Sequence, residues 1–452
     1  MSSVSVALFT RDLRVHDNPV LSRAARNGQT VPLFVFDDAA PKGFLRPNRA
    51  TFLVQSLEDL DAQLQQRGGR LVVRDGKVVD EVCAVAAEVG ASQVHVAVDV
   101  SGYAQAREKA LASALRAEGR ELVVHESSVN AASPGQITPH GKDHFAVFTP
   151  YYNRWAQQPI RRSVDAPARV ELPDVYPGRL PRAGDLCSGQ TSPFLPPGGE
   201  TSGRRRLAAW NRRVDAYAEN NDRLADDATS RLSPYLHLGC VSPVELIHRL
   251  GHGSAGSDAF LRQLAWRDFH HQVLAARPDA ARDNYRDRDD TWRDDPVGLE
   301  AWRRGRTGYP VVDAGMRQLI AEGWMHNRAR LIVASFLAKT MYVDWRLGAS
   351  HFLDLLVDGD IANNQMNWQW MAGTGTDTRP HRVLNPVLQG RRYDPEGDYV
   401  RRYVPELAGV EGSAVHEPWK LSRDVLEELD YPGPIVELDE GLRRFRSARG
   451  KD

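Results

Sequence analysis

The chain has 452 residues, 42% of them apolar and 26% charged, with a formal net charge of −1. That length implies two or three domains with sizeable cores, and the near-neutral balance excludes a uniformly basic nucleic-acid coat while leaving room for a local basic face. Three cysteines in no CxxC pair (Cys83, Cys187, Cys240) argue against a disulfide framework or a zinc site, so no metal is expected.

The opening MSSVSVALFTRDLR reads as a strand rather than a signal peptide, and no apolar run reaches membrane-spanning length. A reduced, soluble, cytoplasmic protein is expected. Up to residue 126, short apolar runs at 4–9, 31–36, 71–74, 94–98 and 122–125 alternate with helical patterns at about 17–26, 49–67, 77–89 and 102–118. This rhythm predicts an α/β, Rossmann-like domain over 1–126, with a five-stranded parallel sheet wrapped by helices. The first run ends in Thr10-Arg11-Asp12-Leu13-Arg14, with neither GxGxxG nor a Walker loop, so no dinucleotide fingerprint is present. Over 127–205 the pattern dissolves. LPRAGDLCSGQTSPFLPPGGETSG is dense in proline, glycine and serine and reads as part of an interdomain linker. From 206 to 452 the chain turns helical and carries nine of the ten tryptophans, which predicts a second, all-helical domain.

Within that second part, Thr229-Ser230-Arg231-Leu232-Ser233-Pro234 reads as a helix start, with Ser233 as N-cap and Pro234 in the first turn. It is either an ordinary cap or an anion cradle, to which Tyr217 would add a hydroxyl. The stretch SDAFLRQLAWRDFHHQVLAA predicts a helix with Leu261, Leu264, Ala265 and Phe269 on its apolar stripe. Gln263, Trp266, Arg267 and His270 share another side, suited to stacking and pairing a base or to simple solvation. Asp313 and Arg317 read as a structural i,i+4 pair, whereas Arg328 and Arg330 fall on different sides of their helix. Residues 377–402 hold six arginines against four acids, a mild basicity compatible with a phosphate backbone. Most distinctive is 354–382, DLLVDGDIANNQMNWQWMAGTGTDTRPHR. Its rings offer faces, and its amides and carboxylates a rim, for a flat polar-edged heterocycle; a polar loop between helices is the alternative.

Together, TSRLSPYLHLG, QLAWRDFHHQ, TGYPVVDAGMRQL, GWMHNRAR, VDWR, LVDGDIANNQMNWQW and HEPWK closely resemble the DNA photolyase/cryptochrome family. The likeness is greatest to its actinomycete-type class I cyclobutane pyrimidine dimer photolyases and runs from about Val4 to beyond Trp419. The resemblance implies an antenna domain, a linker and a helical domain holding FAD. It also implies a carbon–carbon lyase activity, in which a light-driven electron from reduced FAD splits pyrimidine dimers in damaged DNA. By motif position, Tyr217, Thr229, Ser230, Arg231, Leu232 and Ser233 would hold the FAD phosphates. Phe260, Gln263 and Gly359 would belong to the same cofactor site. Arg330 and Asp358 would form a charge pair beside the isoalloxazine, Asp360 would reach the flavin or adenine edge, and Asn364 would sit at N(5). Trp368, Trp345 and Trp292 align with the electron-transfer triad.

On the substrate side, the resemblance places Trp266 and Trp370 around a flipped-out dimer, with Asn327 and Arg328 nearby. Gln263, Arg267, His270 and Gln389 would also face DNA. Gln263 stands where many members have glutamate, Leu331 where methionine is frequent, Asn221 where arginine often touches DNA, and Asn367 where glycine is common. Arg49 and Asp99 align with antenna positions, implying 8-hydroxy-5-deazaflavin rather than methenyltetrahydrofolate, although Ser101 replaces an acidic partner. Two rivals are a (6-4) photolyase, which would carry a second histidine where Asn327 stands, and a cryptochrome-type signalling flavoprotein, which often has a long C-terminal tail. A monomer without membrane partners is expected.

Overall fold

The computed structural model describes residues 3–26, 28–40 and 43–450. Its first part runs β1 (Ser3–Leu8), α1 (Pro19–Ala24), β2 (Gly28–Asp37), α2 (Pro47–Gln65), β3 (Val72–Gly76), α3 (Val78–Glu88), β4 (Gln93–Ala97), α4 (Gly102–Ala117) and β5 (Glu121–His125). All five strands are parallel, in the order β3-β2-β1-β4-β5, with Val6 opposite Val31 on one side and Val94 on the other. Its three central strands, β2, β1 and β4, are largely buried on both faces, which is why they read as near-continuous apolar runs instead of alternating ones, whereas the edge strand β5 has no buried residue. Val6, Leu8, Val31, Leu33, Val72, Val94 and Val96 form the core with Val82, Val85 and Leu111 of the covering helices.

Helices follow: α5 (Phe148–Trp155), α6 (Ala183–Leu186), α7 (Glu200–Asn211), α8 (Tyr217–Asn220), α9 (Ser233–His237), α10 (Pro243–Leu250) and α11 (Ala255–Ala276). Then come α12 (Pro296–Arg303), α13 (Pro310–Glu322), α14 (Asn327–Ser335), a π-helical turn (Phe336–Thr340), α15 (Trp345–Leu355) and α16 (Ile361–Ala372). The last are α17 (Pro386–Tyr393), α18 (Asp398–Tyr403), α19 (Arg423–Glu428) and α20 (Leu438–Ala448). The expected fold class, an α/β sheet part followed by a helical part, is the one observed.

The chain packs as two units. The first runs to Gln190 and takes in Pro196–Ala218 and Ser230–Pro278, so α9, α10 and α11 belong with the sheet. The loop leaving β1 ties them together. Arg14, fully buried, donates to the carbonyls of Gly239 (2.8 Å), Asp17 (2.9 Å) and Ser128 (3.0 Å). Leu13 N–H meets the Leu238 carbonyl at 3.1 Å. Gly239 has φ +68°, and a Cβ there would lie 2.0 Å from the Arg11 carbonyl oxygen, so only glycine fits this docking point. A second tie is Asp268 of α11, whose buried carboxylate accepts from Asn130 Nδ2 (2.7 Å), Ala131 N (3.1 Å), Ala132 N (2.9 Å) and Trp155 Nε1 (3.0 Å).

The second unit comprises Thr191–Leu195, Glu219–Thr229 and the chain from Asp279 onward. Its core is built on fully buried Trp302, Phe336, Trp345 and Tyr399, packed by Val312, Met316, Leu337 and Val400. Lys339 of the π-helical turn is also buried, with Nζ donating to the Arg382 carbonyl at 2.7 Å.

Candidate active site

In the helical unit a cleft opens between α14, α15 and α16, with about 480 Å3 of empty space, part of it open to solvent. From α16 come Asn363, Asn364, Asn367, Trp368 and Met371, whose spacing puts amides and rings on one helical face. From α14 come Asn327, Arg330 and Leu331; Phe352 and Leu356 close the apolar side. Apolar walls with a rim of amides and one ion pair suit a flat heterocycle with polar edges. Of the residues singled out from 354–382, Asp358, Asn364, Asn367 and Trp368 line this cleft, on α16 and the turn before it.

Arg330 and Asp358 face each other on the rim. Arg330 Nη2 donates to both Asp358 oxygens (3.1 and 2.8 Å), and its Nε is anchored on the Met325 carbonyl at 2.9 Å. The Asp358 side chain is only 4% exposed, so the pair is held rigidly in a partly dry setting. Asn364 donates from Nδ2 to the Ala349 carbonyl (3.1 Å) and to Gln365 Oε1 (3.0 Å), which leaves its Oδ1 as the acceptor available to a ligand N–H. Asp360 caps α16, accepting from Asn363 N (2.8 Å) and Asn363 Nδ2 (2.7 Å), with buried Gly359 just before it. Asn367 Nδ2 donates to the Asn363 carbonyl at 2.8 Å, so this departure from glycine extends the amide lining of the cleft.

Trp368 is buried and packs edge-on against Phe352 (5.0 Å) and Trp302 (5.9 Å). Sequence reasoning missed Trp302, whose only signal was an aromatic on the apolar stripe of α12. Trp345 is fully buried, its Nε1 donating to Asn284 Oδ1 at 2.9 Å, and half-buried Trp292 lies 5.0 Å from the ring of Tyr342. A glycine fixes the position of Trp368: a Cβ on Gly348 of α15 would come within 2.2 Å of the indole. Gly348→Ala is therefore expected to cost about 1–3 kcal/mol by overpacking and to displace Trp368. A lowered thermal midpoint with altered tryptophan near-UV dichroism checks this; an unchanged spectrum would remove the argument.

Among the other predicted positions of this unit, Arg328 has structural partners. Arg328 makes a two-point contact with Asp222 (3.1 and 2.6 Å) and lies 4.4 Å over the Tyr393 ring. Asn327 is exposed, Trp370 and Gln389 are half-buried, and Thr229 is half-buried.

In the sheet-bearing unit, Trp266 stacks on Phe148 at 3.6 Å with rings 5° from parallel, so one of its two faces is already covered. Arg267 does not reach outward as its helical position suggested. Its guanidinium donates to the carbonyls of Val129 (2.8 Å) and Leu236 (3.2 Å) and is 11% exposed. Gln263 is exposed and His270 buried. Phe260 packs against Tyr217 (5.7 Å) and Trp210 (5.5 Å), fixing the Tyr217 ring. At 229–233 the helix begins at Ser233 itself, and Leu232 takes the cap position. Ser230 Oγ accepts from Leu232 N at 3.2 Å and Arg231 adopts φ +49°, so the turn is closed upstream of the expected cap.

At the carboxyl ends of the strands, where the strand order reverses between β1 and β4, Asp99 receives Arg11 Nη1 at 3.0 Å. Burial alone would raise the Asp99 pKa, but Arg11 and Arg107 outweigh it and hold the carboxyl below its usual value. Arg11 and Arg107 were not singled out in the sequence. Arg49 is buried, with its guanidinium on the carbonyls of Phe44 (2.7 Å) and Gly43 (3.2 Å).

A parallel sheet with an Arg11–Asp99 pair where its strand order reverses, and a helical unit with an amide-lined, tryptophan-backed cleft, suit a flavoprotein. Family models agree: "DNA photolyase" matches residues 5–171 and "FAD binding domain of DNA photolyase" matches 260–450. A curated relative, deoxyribodipyrimidine photo-lyase of Streptomyces griseus, is 58% identical over the full length of both chains. Among solved structures, a bacterial class III photolyase from Agrobacterium tumefaciens is similar with a TM-score of 0.92 and 33% identity, covering 100% of this chain and 97% of that one. A Synechocystis cryptochrome gives a TM-score of 0.90 at 30% identity, with 99% of each chain covered. The chain belongs to the DNA photolyase family.

Proposed function

We propose that the protein is an FAD-dependent, light-driven lyase that splits cyclobutane pyrimidine dimers in damaged DNA. Because photolyase and cryptochrome share this fold, shape alone does not separate repair from signalling. The full-length 58% identity to a deoxyribodipyrimidine photo-lyase carries the reading. When bound, reduced FAD supplies the light-excited electron that opens the cyclobutane ring and recovers it afterwards.

This chain's residues do the rest. Arg330 and Asp358 present a net-neutral pair to the isoalloxazine rim, and Asn364 Oδ1 accepts a ring N–H without adding charge. Tyr217 and the Thr229–Ser233 turn are assigned to the phosphates, and Trp368, Trp345 and Trp292 to electron supply. Trp266, Trp370, Asn327 and Gln389 are each assigned, by motif position, to the displaced dimer. Since Arg267 and Arg328 are engaged by protein partners, their contribution is to fix those walls. Asp99, Arg49, Arg11 and Arg107 are assigned to an antenna chromophore of the 8-hydroxy-5-deazaflavin type. We place the protein in the cytoplasm as a monomer; among the described residues no helix is long and apolar enough to cross a membrane.

Purified protein with reduced FAD should clear dimers from irradiated DNA only under blue or near-UV light. Dimers that persist under those conditions would transfer the protein to the signalling branch. A second absorption band beside that of flavin would identify the antenna. Trp266→Ala should weaken binding to dimer-containing DNA by about 1–3 kcal/mol, the worth of one stacked base, and barely change binding to intact duplex. Equal loss on both DNAs in a titration would contradict this role.

A further inference from the structure

One side chain at the outer end of the tryptophan series is built as though for chemistry that dimer splitting does not require. Tyr342 follows the π-helical turn, is 4% exposed and has φ +58°. A bulky residue in that left-handed conformation is strained by roughly 1–3 kcal/mol and persists only where its surroundings impose it. Here they do. The Tyr342 carbonyl accepts from Arg293 N at 2.9 Å, and its Oη donates to Asp290 Oδ1 at 2.8 Å. Its ring centroid lies 5.0 Å from that of Trp292. Asp290 is itself buried, its side chain 1% exposed, and Arg449 meets it through Nε (2.6 Å) and Nη2 (2.8 Å). Phe445 of α20 lies edge-on to Tyr342 at 6.3 Å.

A phenol within contact of an indole, its proton already bonded to a sequestered carboxylate, is arranged to lose an electron and a proton together. We propose that Tyr342 is the terminal electron donor of the tryptophan series and Asp290 its proton acceptor. This rests on the assignment of Trp292 as the outermost tryptophan. The oxidant is light-excited oxidised flavin, whose electron vacancy reaches Trp292 as an indole radical cation. One electron passes from Tyr342 to Trp292 while the phenol proton moves from Oη to Asp290 Oδ1. Trp292 returns to a neutral indole, Tyr342 becomes a neutral radical and Asp290 a neutral acid. The positive indole and negative carboxylate disappear together, so recombination must also return a proton. Afterwards a thiolate in solution supplies the electron and Asp290 gives the proton back.

The resting state agrees with this direction. Burial, with the hydrogen bond to Asp290, pushes the Tyr342 phenol up to about 12, so the proton stays on oxygen at neutral pH. Burial also raises the Asp290 carboxyl, despite the opposing bonds from Tyr342 and Arg449, which makes it a better base than an exposed aspartate.

The test is electron paramagnetic resonance after a blue flash on the holoprotein with oxidised FAD and no external donor. A tyrosyl spectrum is expected that narrows when the protein is grown on deuterated tyrosine. Tyr342→Phe should abolish it and leave a tryptophan radical that recombines several-fold faster. Asp290→Asn, which keeps the ring contact but removes the base, should cut the tyrosyl yield several-fold. Flavin content and melting midpoint report whether each variant folds, and the labelled native protein needs no variant. Absence of a tyrosyl signal in the native protein, or its survival in Tyr342→Phe, overturns the proposal. Trp292→Phe separates the layers. If a tryptophan radical of undiminished lifetime survives that change, the assignment of Trp292 as the outermost tryptophan itself fails. If the radical vanishes there while the native protein shows no tyrosyl, only the role of Tyr342 fails.

Discussion

Asp358→Asn is expected to yield protein that purifies largely without flavin and melts at lower temperature. The reason lies in what Arg330 loses. Its guanidinium holds both Asp358 oxygens and the Met325 carbonyl. Asparagine keeps one acceptor, removes the charge and leaves a half-buried cation on the cleft rim. Breaking a pair of this kind from one side costs about 3 kcal/mol, because the partner charge stays behind unmatched. If that loss fell entirely on flavin binding, affinity would drop roughly a hundredfold. Replacing both residues by apolar groups of similar shape should restore much of the stability but not the flavin. The flavin-to-protein absorbance ratio after gel filtration, with a thermal melt, reads both effects. Full flavin retention in Asp358→Asn would show that the pair has no part in cofactor binding.

A change in the sheet-bearing unit should damage the fold more. Asp268→Ala removes one acceptor from four donors at once: Asn130 Nδ2, the N–H groups of Ala131 and Ala132, and Trp155 Nε1. Asp268 is 2% exposed, so water does not easily replace it. Each unpaired buried donor costs about 1–3 kcal/mol, and with partial relaxation the total is at least about 4 kcal/mol. Against a typical folding stability of about 5–15 kcal/mol, such a loss brings the chain close to unfolding. The expected result is poor soluble yield and a strongly reduced denaturant midpoint. Asp268→Asn keeps some acceptors and should be milder. Equal midpoints for native and Asp268→Ala proteins would refute the hub.

The sheet was legible because parallel strands covered on both faces are apolar at nearly every position: 31–36 is wholly so, and the other four runs carry only Ser5, Arg74, His95 and His125 as polar exceptions. Residues 127–205 looked patternless for a physical reason too. Their hydrogen bonds go to side chains more than a hundred residues away, as from Asn130 to Asp268, and leave no local period. Cleft residues on α16 were legible as a polar surplus, but the pairing of Arg330 with Asp358 came only through family resemblance, since no spacing rule links them. Arg267 shows the limit of helical-wheel reasoning. Its position on the non-apolar side was read correctly, yet the guanidinium folds back onto two carbonyls. The cap at 229–233 was misplaced by one residue because Ser230 closes the preceding turn first. Tyr342 drew no notice, since a positive φ leaves no trace in a sequence when the residue is not glycine.

The docking of Arg14 on Gly239 also bears on biosynthesis. These partners are 225 residues apart, so the first strand leaves the ribosome long before its acceptor exists. At synthesis rates of about 5–20 residues per second, the delay is on the order of tens of seconds. During that time a guanidinium destined for full burial stays in water, and the nascent sheet waits unsealed at one end. Its exposed valine-rich strands would be guarded best by a chaperone or by slow, late closure. A truncated chain ending near residue 171 would never leave that vulnerable stage.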